Sequence, residues 1–259
     1  MAVGFGRRSR LTGTARPAYI TDQSVINKMQ TLDDNGPHPS PRQRRKDARP
    51  QELLAAALTL FVEKGFAATR AEEVAQRAGV SKGTLYLYYP SKEELLKAVI
   101  AHYLSARIAH TAEEVRKIDG PMAPVLREML VAWWREMYAS PASGTFKLLI
   151  AEVRNFPEIA EFYGREVIEP GHQLVATILQ RGIDNGEFRS VDVESAVHTL
   201  LLPMVMLCTH KHALGACTQH TIDAPKFIAD HVDLVVRGLL VEPPAAGGTT
   251  RKNSPKRMS

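Results

Sequence analysis

The chain has 259 residues, 44% of them hydrophobic and 24% charged, a balance that can bury a core and excludes a wholly disordered, collagen-like or membrane-embedded chain. Its two cysteines, Cys208 and Cys217, are too few for a disulfide scaffold and suit a reducing cytosol. Residues 1–50 carry ten Lys and Arg against four Asp and Glu, residues 242–259 four against one, and the net charge of +5 leaves the stretch between them mildly acidic, which suggests a polyanion met by basic ends.

Residues 1–46 mix Gly, Pro and basic side chains with no sustained apolar period, and are expected to be a tail that gains too little by ordering. The start, MAVGFGRRSR, is Arg-rich and acid-poor but has no apolar run, so it is not a signal peptide. At the end of this tail Arg42, Arg44, Arg45 and Lys46 form a basic arm that can follow phosphates or enter a minor groove. The alternative is a solvated charge run. Residues 242–259 form a second basic tail.

Between the tails the apolar period is helical throughout, as in Leu54, Leu58, Phe61 and Val62 or Leu95, Val99 and Tyr103. Alternating strand patterns are absent, and breaks at Gly65, Gly79, Pro90, Gly120, Pro141, Pro157 and Gly186 divide the chain into about nine helices. The expected class is all-α. Residues 47–100 open with a helix that stops at Gly65. Thr69 and Glu72 form a capping box for a short helix from Arg70 to Ala78, with Val74 and Ala78 facing the core and Ala75 at a close crossing. Gly79 supplies the turn and Val80 the apolar plug after it, which is helix-turn-helix chemistry. Ser81 caps the next helix, which stops at Pro90. Leu85 and Tyr89 share its inner face, leaving Lys82, Gly83, Thr84, Tyr86 and Tyr88 toward solvent. Ser91 and Glu94 cap the helix that follows.

The run AGVSKGTLYLYYPSKEEL, within Gln51–Ile100, resembles the N-terminal DNA-binding domain of TetR-type transcriptional regulators. The resemblance implies a three-helix DNA-binding head, a larger helical ligand-binding and dimerisation domain over residues 101–241, and a homodimer formed by the last two helices. It implies that Thr84 approaches base edges, that Lys82, Gly83, Tyr86 and Tyr88 lie against phosphates or bases, and that Thr69 and Lys92 anchor the backbone. Leu87 departs from the polar or aromatic residue that other members carry. In the second domain, RNFPEIAEFY and QRGIDNGEF are similar to an AcrR/AefR-like subset.

In that domain Ser140 and Pro141 open a helix through Phe146 and Ile150, and a long helix reaching Asn185 is expected to kink at Pro170-Gly171. Trp133, Trp134, Met137, Phe146, Phe156, Phe162, Tyr163 and His172 are candidate walls of a small-molecule effector pocket, with His172 or Arg154 as its polar handle, although each also fits a core position. Leu200, Leu201, Met204 and Val205, then Phe227, Ile228, Val232, Val235 and Val236, form broad apolar faces that a second copy is expected to cover. The stretch from Ser195 to His210 lacks charge but is short for a membrane span, and reads as a buried helix.

Cys208, His210, His212, Cys217 and His220 carry metal-ligand chemistry without the spacing of a closed zinc site, and a metal- or redox-responsive regulator using Cys208, His212 and Cys217 stays open beside ordinary helix-end histidines. Nucleophile, metalloprotease and nucleotide-loop motifs are missing, so no catalysis and no cofactor is expected. The sequence thus suggests a cytoplasmic regulator that binds a palindromic double-stranded DNA operator as a homodimer and is released by an effector, with a nonspecific DNA-coating protein as the alternative.

Overall fold

The computed structural model describes residues 41–219 and 221–241; the tails 1–40 and 242–259, and His220, lie outside them. Packing divides the chain after Asp47. The described part of the first unit is helical backbone, and its side chains to residue 48 are not described. The helix α1 runs Pro41–Lys64, so the backbone is helical six residues earlier than the expected end of the tail. Proline is pre-set for a first helical position, and the Arg, Gln and Lys that follow are good helix formers.

Three short helices complete the N-terminal head and lead out of it: α2 (Ala71–Arg77), α3 (Lys82–Tyr88) and α4 (Lys92–Ile100). Gly65 and Gly79 take φ of +86° and +66°, the left-handed backbone that both turns need. Leu58, Phe61, Phe66, Val74, Leu85 and Leu95 close the core of the head. The N–H of Val80 returns to the Ala75 carbonyl at 2.9 Å, locking the turn between α2 and α3.

A π-helical segment, Ala101–Ser105, joins α4 to α5 (Ala106–Arg116). The second half holds α6 (Met122–Ala139), a 3-10 turn (Pro141–Ser143), α7 (Gly144–Glu152) and α8 (Pro157–Tyr163). It ends with α9 (Glu169–Asp184), α10 (Val193–His212) and α11 (Ala224–Leu239). A second π segment, Gly164–Ile168, joins α8 to α9. The irregularity expected at Pro170-Gly171 therefore sits just before Pro170, where a wider turn accommodates a residue that lacks the N–H and whose ring crowds the preceding turn. With each π-interrupted rod taken as one helix, the described residues form nine helices and no strand beyond an isolated bridge between Phe188 and Leu240.

By length and composition α10 is apolar enough to cross a membrane, which the count of uncharged residues did not suggest. Val197, Leu200, Leu201, Met204, Leu207 and Cys208 are nonetheless buried, on α7, α9 and α11.

Candidate functional site

The exposed face of α3 is built from its first turn. Ser81 caps it by accepting the Thr84 N–H at 3.1 Å, and the two hydroxyls lie 2.9 Å apart. Gly83 is exposed, and a Cβ there would come no closer than 3.8 Å to Ser81 Oγ, so nothing within the chain demands a glycine. Tyr86 is exposed beside it. Lys82 lies 5.8 Å from the Tyr86 ring and is ion-paired with Glu72 of α2. That hydrogen bond holds Glu72 below the usual carboxylate range and Lys82 above its own. Both side chains are exposed, so the pair is weak and a phosphate can take the place of the carboxylate. Leu87, at 82% exposure, projects from the same helix.

Three expected contacts sit elsewhere. Thr69 is 1% exposed, and its hydroxyl donates to the carbonyls of Gly65 at 2.7 Å and Leu60 at 3.2 Å. It does not cap α2: the cap is Arg70, whose N–H is accepted by Glu73 at 3.1 Å, one residue later than the expected box. Lys92 spends its ammonium on the carbonyls of Phe66, Ala67 and Thr69 at 2.8, 3.2 and 3.2 Å, over the Phe66 ring at 4.5 Å. An ammonium has three donors, and here the loop between α1 and α2 takes all of them. Tyr88 is half-buried against the core rather than free. Ser91 caps α4 as expected by accepting the Glu94 N–H at 3.0 Å, while Glu94 accepts from Lys97. The backbone of Arg42, Arg44, Arg45 and Lys46 lies in α1, and no contact of theirs is described.

In the second domain a cavity of about 510 Å³ lies among α5 to α10. Trp133, Trp134, Phe146, Tyr163 and His172 line it as expected, together with Leu149 and Ile150 of α7 and Val153 just after it. Three of the expected wall residues do not. Met137 is buried in the core, Phe156 packs edge-on against Phe66 at 4.8 Å, and Phe162 lies beneath Arg165. Arg154 is exposed and supplies no handle. Sequence reasoning missed His198, Leu201, Leu202 and Val205, which α10 contributes. The polar handle is a pair, since the His172 and His198 rings meet edge to face at 4.9 Å. Burial, and then His198, holds His172 below the usual imidazole range. Burial pushes the Tyr163 hydroxyl up to about 12.

The helix α7 joins cavity and head. Phe146, Leu149, Ile150 and Val153 face the cavity. Gly144, Leu148 and Glu152, spaced four apart, share the opposite side. A Cβ on Gly144 would overlap the side chain of Val62 in α1. At the other end the buried carboxylate of Glu152 accepts the Phe66 N–H at 3.2 Å. One short helix therefore touches the cavity on one face and the loop that Lys92 holds on the other.

The last two helices divide their apolar faces differently from the expectation. Leu200, Met204, Ile228, Val232 and Val236 are buried within the chain, and Leu201 nearly so. The outer stripe is Leu202 at 59% exposure, Met206 at 53% and Leu234 at 71%, flanked by exposed Phe227 and half-buried Val205 and Val235. A helix with an apolar face on both sides does not show in its sequence which side turns inward.

Among the described residues, Cys208, His212 and Cys217 do not converge. Cys208 is buried, which pushes its thiol up to about 12, whereas Cys217 is exposed. His212 is hydrogen-bonded to Ser143, Nε2 to Oγ at 2.8 Å, and burial, with Lys211 and Lys147 nearby, lowers its pKa. Among the described residues no group of three ligand side chains gathers.

Comparison with known proteins covers both halves. The family described as bacterial regulatory proteins, tetR family, matches residues 53–99, and the one described as tetracyclin repressor-like, C-terminal domain, matches residues 120–224. The uncharacterized HTH-type transcriptional regulator YfiR of Bacillus subtilis is 30% identical over 172 residues, which are 64% of this chain and 80% of that protein. The HTH-type transcriptional repressor KstR2 of Rhodococcus jostii is 30% identical over 166 residues, 63% of this chain and 80% of its own length. In fold, the transcriptional regulator FadR of Bacillus subtilis, solved in complex with stearoyl-CoA, superposes with a TM-score of 0.61 at 20% identity, covering 73% of this chain and 98% of its own.

Proposed function

The chain belongs to the TetR family of DNA-binding transcriptional regulators, and from that premise we propose that it is a homodimeric repressor that grips a palindromic operator with α3 and lets go when a small molecule fills the cavity. The observation that carries this reading is the placement of α7, with Phe146, Leu149 and Ile150 on the cavity and Glu152 on the Phe66 N–H. A ligand that displaces α7 acts on the head without touching DNA. Two heads must present their α3 helices about 34 Å apart to enter successive major grooves. A ligand that favours another spacing lowers operator affinity by its differential binding to the two states.

Within α3 we assign DNA contact to Lys82, Gly83, Thr84 and Tyr86, whose face is exposed and positively edged. Thr69 and Lys92 are assigned to holding the head together. The outer stripe Leu202, Met206, Phe227 and Leu234 is assigned to the second copy, giving a four-helix interface with two-fold symmetry. Such a protein works in the cytoplasm, needs no cofactor and performs no catalytic step. The relatives' effectors do not transfer at these identities.

The test is a footprint on the DNA flanking its own gene, under excess random competitor, comparing the wild type with a Thr84→Ala/Tyr86→Ala variant. Protection of a two-fold symmetric site that the variant loses is the expected result. Salt-sensitive binding everywhere, with no protected site, would favour a DNA-coating protein instead.

A further inference from the structure

The cavity wall determines what chemistry it accepts. None of the residues forming it is Lys, Arg, Asp or Glu. An ionised group carried into such a wall leaves water without a counter-charge, so it either neutralises or stays out. The Glu194 carboxylate lies 4.0 Å from His198 with its side chain largely in water. With His172 held below the imidazole range and the Tyr163 hydroxyl pushed up to about 12, both are neutral at pH 7. From these two residues the wall offers hydrogen bonding without charge. The polar side chains that line the cavity are Tyr163 and the paired imidazoles of His172 and His198, besides the two indoles, and an uncharged oxygen can pair with an imidazole nitrogen in either tautomer.

We propose that the effector is an uncharged, largely apolar molecule of drug-like bulk that carries a hydrogen-bonding oxygen, its body lying on Trp133, Trp134, Phe146 and Leu149 and its oxygen meeting His172 and His198. This rests on the reading of the cavity as the effector site. The volume of about 510 Å³ falls in the range of small-molecule pockets.

Trp133 and Trp134 are the chain's two tryptophans, so energy transfer from indole reports a fluorophore bound in or near the cavity, and the cavity-filling variant below assigns it to the cavity. The full chain is titrated with N-phenyl-1-naphthylamine, which is uncharged, and with 8-anilino-1-naphthalenesulfonate, which has the same ring body and a fixed negative charge. Dodecanol, dodecanoate and dodecylamine then compete with the uncharged probe.

The expected result is transfer to the uncharged probe, binding at least about tenfold tighter than its sulfonated counterpart, and displacement by dodecanol at least about tenfold better than by either charged chain. Filling the space with Ala160→Phe should abolish the transfer, and His172→Leu should weaken dodecanol by about three- to tenfold while sparing the probe. Tighter binding of the sulfonate or dodecanoate, preference for dodecylammonium, or lack of transfer each overturns the proposal. So does undiminished transfer in Ala160→Phe, or dodecanol binding indifferent to His172. Operator binding is measured alongside. If dodecanol occupies the cavity and operator affinity holds, the release reading fails while the ligand class stands.

Discussion

Gly83 and Lys92 lie within ten residues of each other and answer to opposite demands. Glycine in a helical turn costs about 0.5–1 kcal/mol relative to alanine, and the chain offers no steric reason to bear that cost, since a Cβ at Gly83 meets nothing closer than 3.8 Å. On the proposed function the reason lies outside the chain, in the close approach of DNA. Gly83→Ala is expected to raise stability by about 0.5–1 kcal/mol in thermal denaturation while weakening operator binding; equal operator affinity would remove Gly83 from the interface. Lys92→Met should do the reverse of a phosphate-contact mutation. It leaves three loop carbonyls without their ammonium, so a loss of about 1–3 kcal/mol is expected, with the salt slope of DNA binding unchanged. Histidines give the pH dependence. Burial holds His212 and His172 below the ordinary imidazole value, so the folded chain resists protonation that the unfolded chain accepts. Stability is complete above about pH 6.5 and falls as pH drops below it, because the unfolded state then binds more protons. Denaturation at fixed protein concentration should show that slope between pH 7.5 and 5.5, and His212→Gln, which keeps a partner for Ser143, should flatten part of it.

Helices show the coupling. The two faces of α7 differ by half a turn, and at its C-terminal end Glu152 is the buried carboxylate joining it to the loop between α1 and α2. Replacing Glu152 by Gln keeps an acceptor for the Phe66 N–H, whereas Glu152→Leu removes it. With any cavity ligand that lowers operator affinity, Glu152→Leu is expected to keep ligand binding, read by tryptophan fluorescence, and to lose most of the ligand's effect on DNA binding; couplings of this kind are about 5- to 150-fold. The Gln variant should stay near wild type. An unchanged ligand effect in Glu152→Leu would move the coupling to the rod from α4 to α5, whose Leu104 and Ile108 form part of the cavity wall. The head was legible in the sequence because turn chemistry is local: Gly79, Ser81 and Ser91 have the roles their types and spacing predict. Thr69 and Lys92 turn to carbonyls of their own chain, which their sequence does not reveal because hydroxyl and ammonium groups suit a phosphate and a loop carbonyl equally. Part of the cavity was legible as well, in the aromatic residues Trp133, Trp134, Phe146 and Tyr163. The share from α10 was not, because Leu201 and Val205 read as interface and only the fold brings them beside His172.

The whole molecule must bury what α10 and α11 leave outside. Leu202, Met206 and Leu234 are among the most exposed large apolar side chains of the described residues, and exposed apolar surface on two neighbouring helices is what an association surface presents. The two sides of these helices separate fold from assembly. Met204 and Val232 are fully buried within one chain, so Met204→Ala should cost about 2–5 kcal/mol through transfer and cavity terms while leaving the dimer's symmetry intact. Leu234→Glu changes a side chain that packs on little of its own chain, so a well-folded monomer is expected in sedimentation, with its helical circular dichroism preserved. That monomer carries one α3 helix and reaches one half-site. Its operator affinity should collapse toward the nonspecific level, because two half-sites on one rigid dimer act at a high effective concentration that a single head lacks. The same mutation tests the cavity from outside. Leu202 borders both the cavity and the exposed stripe, so a second copy seated there covers part of the wall, and Leu234→Glu should speed dissociation of a bound ligand. A Leu234→Glu protein that remains dimeric would move the interface away from α11 and leave the exposed stripe to another partner.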